Sequence, residues 1–167
     1  MADEKIMEMI DEIERALISR DAIRMRELSN EASNLAVLSQ DKDVIELAVA
    51  SYALNKILSK IHFQEEVEQL YREVKPDFDA DYIGAVLDKI REFDLKHGLF
   101  QGDIVEKARI KIGSRLYSRG LSMTHSANLV GATGNDILAF AGKTKVHEET
   151  DTKPINQRLE VTRKLFR

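Results

Sequence analysis

Apolar residues recur along this chain at three- and four-residue intervals with charges between them, and no stretch alternates in the two-residue rhythm of a strand. Residues 3–19 place Ile6, Met9, Ile10, Ile13 and Leu17 on one helical face. Asp21 stands where it can cap a second helix running to about residue 38, with Ile23, Leu28, Ala32 and Leu35 inward. Asp41 or Asp43 opens a third, whose sequence DVIELAVASYALNKILSKIHF is apolar around most of its circumference. Such a helix is a central one. The helical pattern continues over residues 64–74, running through or breaking near His62. Pro76 is expected to end it, because proline lacks an N–H and its ring clashes with the preceding turn. A helix over residues 80–96 aligns Ile83, Val86, Leu87, Ile90 and Phe93, and Gly98 closes it. After Asp103 another aligns Ile104, Ala108, Ile112 and Leu116. The expected fold is all-α. A bundle of about five helices occupies residues 3–97, followed by a basic helix, a helical hairpin and a C-terminal tail helix. The expected divisions are 1–98, 99–142 and 143–167.

Residues 121–142, LSMTHSANLVGATGNDILAFAG, read as two short helices joined by a tight turn. Ser122 can cap the first, which would bury Ala127 and Val130, and Gly131 stands where a helix ends in a left-handed residue. Thr133 and Asp136 have the spacing of a capping box, opening a helix with Ile137, Leu138 and Phe140 that Gly142 is expected to stop. A small residue followed four positions later by glycine lets two helices touch and the backbone turn. Together with the preceding RLYSRG, this stretch resembles the helix-turn-helix of small prokaryotic regulators and antitoxins over roughly thirty residues. The resemblance implies a non-enzymatic regulatory or antitoxin-like binding protein, with duplex DNA and a toxin-like protein as candidate partners. Thr133 and Asn135, near the start of the second helix, are the candidates for base contacts, and Lys143 and Lys145 follow them. The alternative is a protein-interaction module whose hairpin is an assembly surface. It draws support from Asp136, which phosphates would repel, and from the scarcity of reading residues on that helix.

Charge sharpens this division. The net charge of −4 combines 13 Lys/Arg and 22 Asp/Glu in residues 1–98 with 12 and 7 in residues 99–167. A basic C-terminal third suits nucleic acid or an acidic partner, or it pairs with the acidic bundle. Within it, Lys107, Lys111, Arg115 and Arg119 recur at four-residue spacing and are the candidate phosphate contacts. The hydrophobic fraction of 43% is enough to build a core. Cysteine is absent, which removes disulfides, thiol catalysis and Cys-ligated metals. No apolar run is long enough to span a membrane, and the acidic, amphipathic N-terminus is not a signal peptide. Cytoplasmic residence is the expectation.

Two further constellations carry chemistry. The run DKDVIELAVASYALNKIL, with Ser51, Tyr52 and Ala53, resembles the second helix of HEPN domains, all-helical units common in prokaryotic defence systems. Ribonuclease members carry an arginine followed a few residues later by histidine, so the resemblance makes Arg91 and His97 a candidate pair for RNA cleavage. Glu92 stands where that family usually has asparagine, and a histidine at a helix end also simply favours the dipole. His62 with Glu65 and Glu66 shares a helix face as metal ligands would, but no Glu-x-x-His motif of a di-iron bundle accompanies them. No metal site and no cofactor are expected. Finally, residues 155–166 hold Ile155, Leu159, Val161, Leu165 and Phe166 beyond a polar arm, a pattern that predicts a homo-oligomer held by the tail.

Overall fold

The computed structural model describes residues 2–79 and 83–150, the side chains of residues 2, 3, 79 and 143–150 excepted. Within them the chain forms α1 (Ala2–Ile18), α2 (Ala22–Ser39), α3 (Lys42–Leu58), α4 (Gln64–Asp79), α5 (Ile83–His97), α6 (Ile104–Ser118), α7 (Met123–Val130) and α8 (Gly134–Thr150), with no strand. The all-α expectation holds. The expected tail helix at 155–166 and the side chains of Lys143 and Lys145 lie outside the described residues.

Capping explains where the helices begin. The Asp21 carboxylate accepts from the Arg24 amide, and that of Asp41 from the amides of Asp43 and Val44, so Asp41 rather than Asp43 opens α3. Eleven of the seventeen residues of α3 are buried, which makes it the axis of the bundle. α2 pairs with it most extensively, turning Ser29, Ala32, Ser33 and Ala36 inward. Side chains this small let the two backbones approach closely, and Ser29 reaches the Ala48 carbonyl. α5 and α6 cover other sides of α3, while α4 packs on α1 and α5. Across the α1–α2 junction, Arg24 is held by Glu12, Glu27 and Glu31, and these hydrogen bonds keep its guanidinium even harder to deprotonate than usual.

Three expectations are corrected. α4 continues through Pro76 to Asp79, because Phe78, fully buried, docks the extra turn on the core. Ile23 is 68% exposed: the inward face of α2 is set by Met25, Leu28 and Ala32, and Ile23 lies on its opposite side. α8 passes through Gly142 and reaches Thr150, since an interior glycine weakens a helix by only ~1 kcal/mol and the following Lys- and Glu-rich sequence propagates it.

One hydrophobic core runs through the described chain. Ile104, Val105, Ala108, Ile112 and Leu116 of α6 join the cluster that contains Ile90 and Phe93 of α5, and Ala127, Val130 and Ile137 extend it into α7 and α8. The change in charge at residue 98 is therefore not a gap in packing.

Candidate nucleic-acid interface

The hairpin is built on α6. Asp103 caps α6 by accepting from the amides of Val105 and Glu106 at 2.8 and 3.2 Å. Gly113 is where α7 and α8 rest: a Cβ there would lie 2.7 Å from Ile137 Cδ1 and 2.9 Å from Val130 Cγ2. Ser122 accepts from the His125 amide and opens α7. Gly131 ends it at φ +66°, the left-handed turn expected of it. Arg109, which the pattern of four-residue spacings passed over, donates to the Val130 carbonyl at 2.8 Å and so closes the C-terminal end of α7. Its role follows from cations favouring exposed helix carbonyls, a signal without a fixed spacing. The Thr133 hydroxyl accepts from the Asp136 amide at 3.2 Å and donates to the Asp136 carboxylate at 2.5 Å. One half of the capping box forms, and the other is replaced by this side-chain bond.

Ala127, Val130 and Ile137 are buried, and Ala132 and Phe140 are half-buried, as a helix-turn-helix unit requires. The outward residues at the start of α8 are Thr133, Asn135, Asp136, Leu138 and Ala139. Asn135, Leu138, Ala139 and Gly142 fall at helical spacing on one face, whose first two turns carry no charge before Lys145 and Glu149 continue it.

The four cations of α6 do not form one solvent-facing row. Lys107 is exposed, with its ammonium on the Gln101 carbonyl. Lys111 is half-buried, 4.7 Å from the centre of the Phe140 ring. Arg115 is half-buried between helices, donating to Ser29 and Ser33 Oγ at 3.3 Å each. Its guanidinium lies 5.5 Å from the Tyr52 ring centre, and burial lowers its pKa while raising that of Tyr52. Arg119 caps the end of α6 and is exposed. The physical reason is the helical repeat: each four-residue step overshoots a full turn by roughly 40°, so the row spirals from solvent at Lys107 into the α2–α3 face at Arg115.

Across residue 98 it is the bundle that supplies a cation: Arg91 Nε donates to Asp103 at 2.6 Å. Arg91 also holds Asp88 at 2.9 Å. His97, its candidate partner in catalysis, instead stacks on Phe93 with ring centres 4.0 Å apart, its Nδ1 3.0 Å from the Phe93 carbonyl. Each member of the pair is thus engaged by a different neighbour. Beside Arg91 a cleft of about 220 Å³ is lined by Arg91, Asp94, Leu95, Phe100 and Asp103, without His97. Asp94 is buried at its base and accepts from the Phe100 amide at 3.0 Å. Burial raises its pKa more than the amides of Phe100, Ile104 and Leu99 lower it. His62 is exposed, and Glu66 accepts from the Phe63 amide at the start of α4, a capping role. No cluster of three metal-ligating side chains occurs among the described residues, and no helix among them is long and apolar enough to cross a membrane.

Comparison with family models, curated proteins and solved structures finds no match to this chain. The functional reading therefore rests on the residues themselves.

Proposed function

We propose that this chain is a non-enzymatic, regulatory or antitoxin-like binding protein that uses α7, its turn and α8 as a helix-turn-helix on duplex DNA. The observation that carries the reading is the packing of α7 and α8 on Gly113 of α6 with a left-handed Gly131 between them. It leaves the first turns of α8, with Thr133 and Asn135, on the surface. In this reading Asn135 contacts a base edge, Lys143 and Lys145 approach the phosphates, and Lys107 and Arg119 add to the field. Helix-turn-helix readers commonly act in pairs on two half-sites, and the apolar sequence of residues 155–166 supplies the pairing element.

A second reading, an assembly surface for a partner protein, is favoured by one feature. Leu138 is 42% exposed on the uncharged first two turns of the α8 face. One experiment separates the two. A labelled pool of random duplexes is titrated with the full chain at about 50 and 200 mM salt. DNA reading expects binding at the lower salt that falls at least tenfold at the higher, and that a Lys143→Glu, Lys145→Glu double variant abolishes. No binding at the lower salt overturns it and leaves the α8 face to a protein partner.

A further inference from the structure

The junction of α2, α3 and α6 gathers cations without an acid. Arg115 spends one nitrogen on Ser29 and Ser33, both fully buried, and its Nε and second terminal nitrogen donate to no group among the described residues. Tyr52, half-buried, has the Arg115 guanidinium and the Lys56 ammonium each 5.5 Å from its ring centre. Its hydroxyl has no hydrogen-bond partner among the described residues. Arg119, one turn beyond Arg115, lies close enough for the two charges to repel. None of these three cations makes an ion pair among the described residues.

Elsewhere among the described residues, arginines meet carboxylates, as Arg24 and Arg91 do, or backbone carbonyls, as Arg20, Arg72 and Arg109 do. Arg24 has three carboxylates and Arg91 two, although Arg24 sits nearer to solvent than Arg115. A guanidinium drawn out of water against two neutral hydroxyls and a ring is under-compensated, and the missing term is an anion. The unused edge of Arg115 is a planar two-donor fork, the geometry that matches two oxygens of one oxyanion. Three cations and no nearby acid favour a dianion over a single carboxylate.

We propose that this junction binds a phosphate group, gripped by the free edge of Arg115, with Lys56 and Arg119 supplying charge and the Tyr52 hydroxyl a further donor. The site uses the side of α6 turned to α2 and α3, whereas α7 and α8 rest on Gly113, so apart from the charge of Arg119, which both share, it stands independently of the DNA reading. The phosphate is that of a free monoester or of a nucleic-acid backbone.

The test uses the full chain and inorganic phosphate. At constant ionic strength, replacing sodium chloride by about 20 mM phosphate is expected to raise Tm by roughly 2–5 °C. Arg115→Met is expected to abolish the rise, and Lys56→Met and Arg119→Met each to reduce it by half or more. In protein labelled with ¹⁵N at arginine, the Arg115 Nε–H resonance shifts on titration. Displacement of that shift by phenyl phosphate alone assigns the source to a monoester, and displacement by a short duplex assigns it to a backbone; either supports the site. A wild-type Tm in phosphate equal to that in chloride overturns the proposal. So does an Arg115→Met protein that keeps the full rise. If Arg115→Met does not fold, undiminished shifts in both Lys56→Met and Arg119→Met overturn it instead.

Discussion

A buried carboxyl shows how much one side chain is asked to do. Asp94 closes the turn between α5 and α6 by accepting from the Phe100 amide, yet it sits out of water beside Asp103. Its folded pKa lies above the ordinary aspartate value, so the folded state holds the proton more tightly than the unfolded one. The sign follows. The contribution of this titration is complete below the unfolded pKa and is lost as pH rises through the raised folded value. Urea titrations from pH 7 down to about pH 4 should therefore show the wild type gaining stability relative to Asp94→Asn, whose side chain does not titrate. A difference between the two proteins that stays flat, or shrinks toward low pH, would show that the carboxylate is the preferred form. Little of this was legible in the sequence, because the burial of Asp94 depends on Phe100 and Ile104 folding over it. The same holds for Arg115, whose partners Ser29 and Ser33 lie 86 and 82 residues away.

At the scale of elements the sequence spoke clearly wherever the signal was local. Asp21, Asp41, Asp103 and Ser122 cap the helices that their positions announce, and Gly131 turns as its place requires. Two of the misreadings, at Pro76 and Ile23, share one cause: tertiary packing outweighed a local rule. Pro76 should have ended α4, but the buried Phe78 two residues later repays the lost bond. Gly142 should have ended α8. Ile23 should have pointed inward, but the register of α2 is set by its small residues against α3. The four-residue spacing of the α6 cations was real, and its reading as a single stripe failed because a helix does not repeat at four. The proline makes a measurable case. Pro76→Ala restores an N–H to the last turn of α4 and relieves the ring, so it should raise stability by about 1–2 kcal/mol, read as a higher urea midpoint with unchanged slope. A lower midpoint would mean that the proline's restriction of the unfolded chain outweighs its cost in the helix.

In the whole molecule, the continuity of the core decides what opens first. α3 is buried on nearly every side, and α2, α5 and α6 all pack against it, so its amides should exchange with solvent only on global unfolding. α7 and α8 join the same core through three fully or nearly buried side chains, Ala127, Val130 and Ile137, and two of these meet at Gly113. So few anchors make the hairpin the natural unit of partial opening. Gly113→Ala tests this, because its two effects fall on different parts of the chain. Within α6 the substitution favours the helix by up to about 1 kcal/mol. At the contact, the added methyl meets Ile137 and Val130 at distances no packed carbon tolerates, and overpacking of this kind costs ~1–3 kcal/mol. The expected result is a rise in exchange of roughly 5- to 100-fold confined to the amides of α7 and α8, with α3 changed by less than about threefold. The same variant should weaken any ligand that reads α8, while leaving the phosphate-induced Tm shift at Arg115 in place. Equal acceleration in α3 and α8 would instead show that the hairpin and bundle open as one cooperative unit.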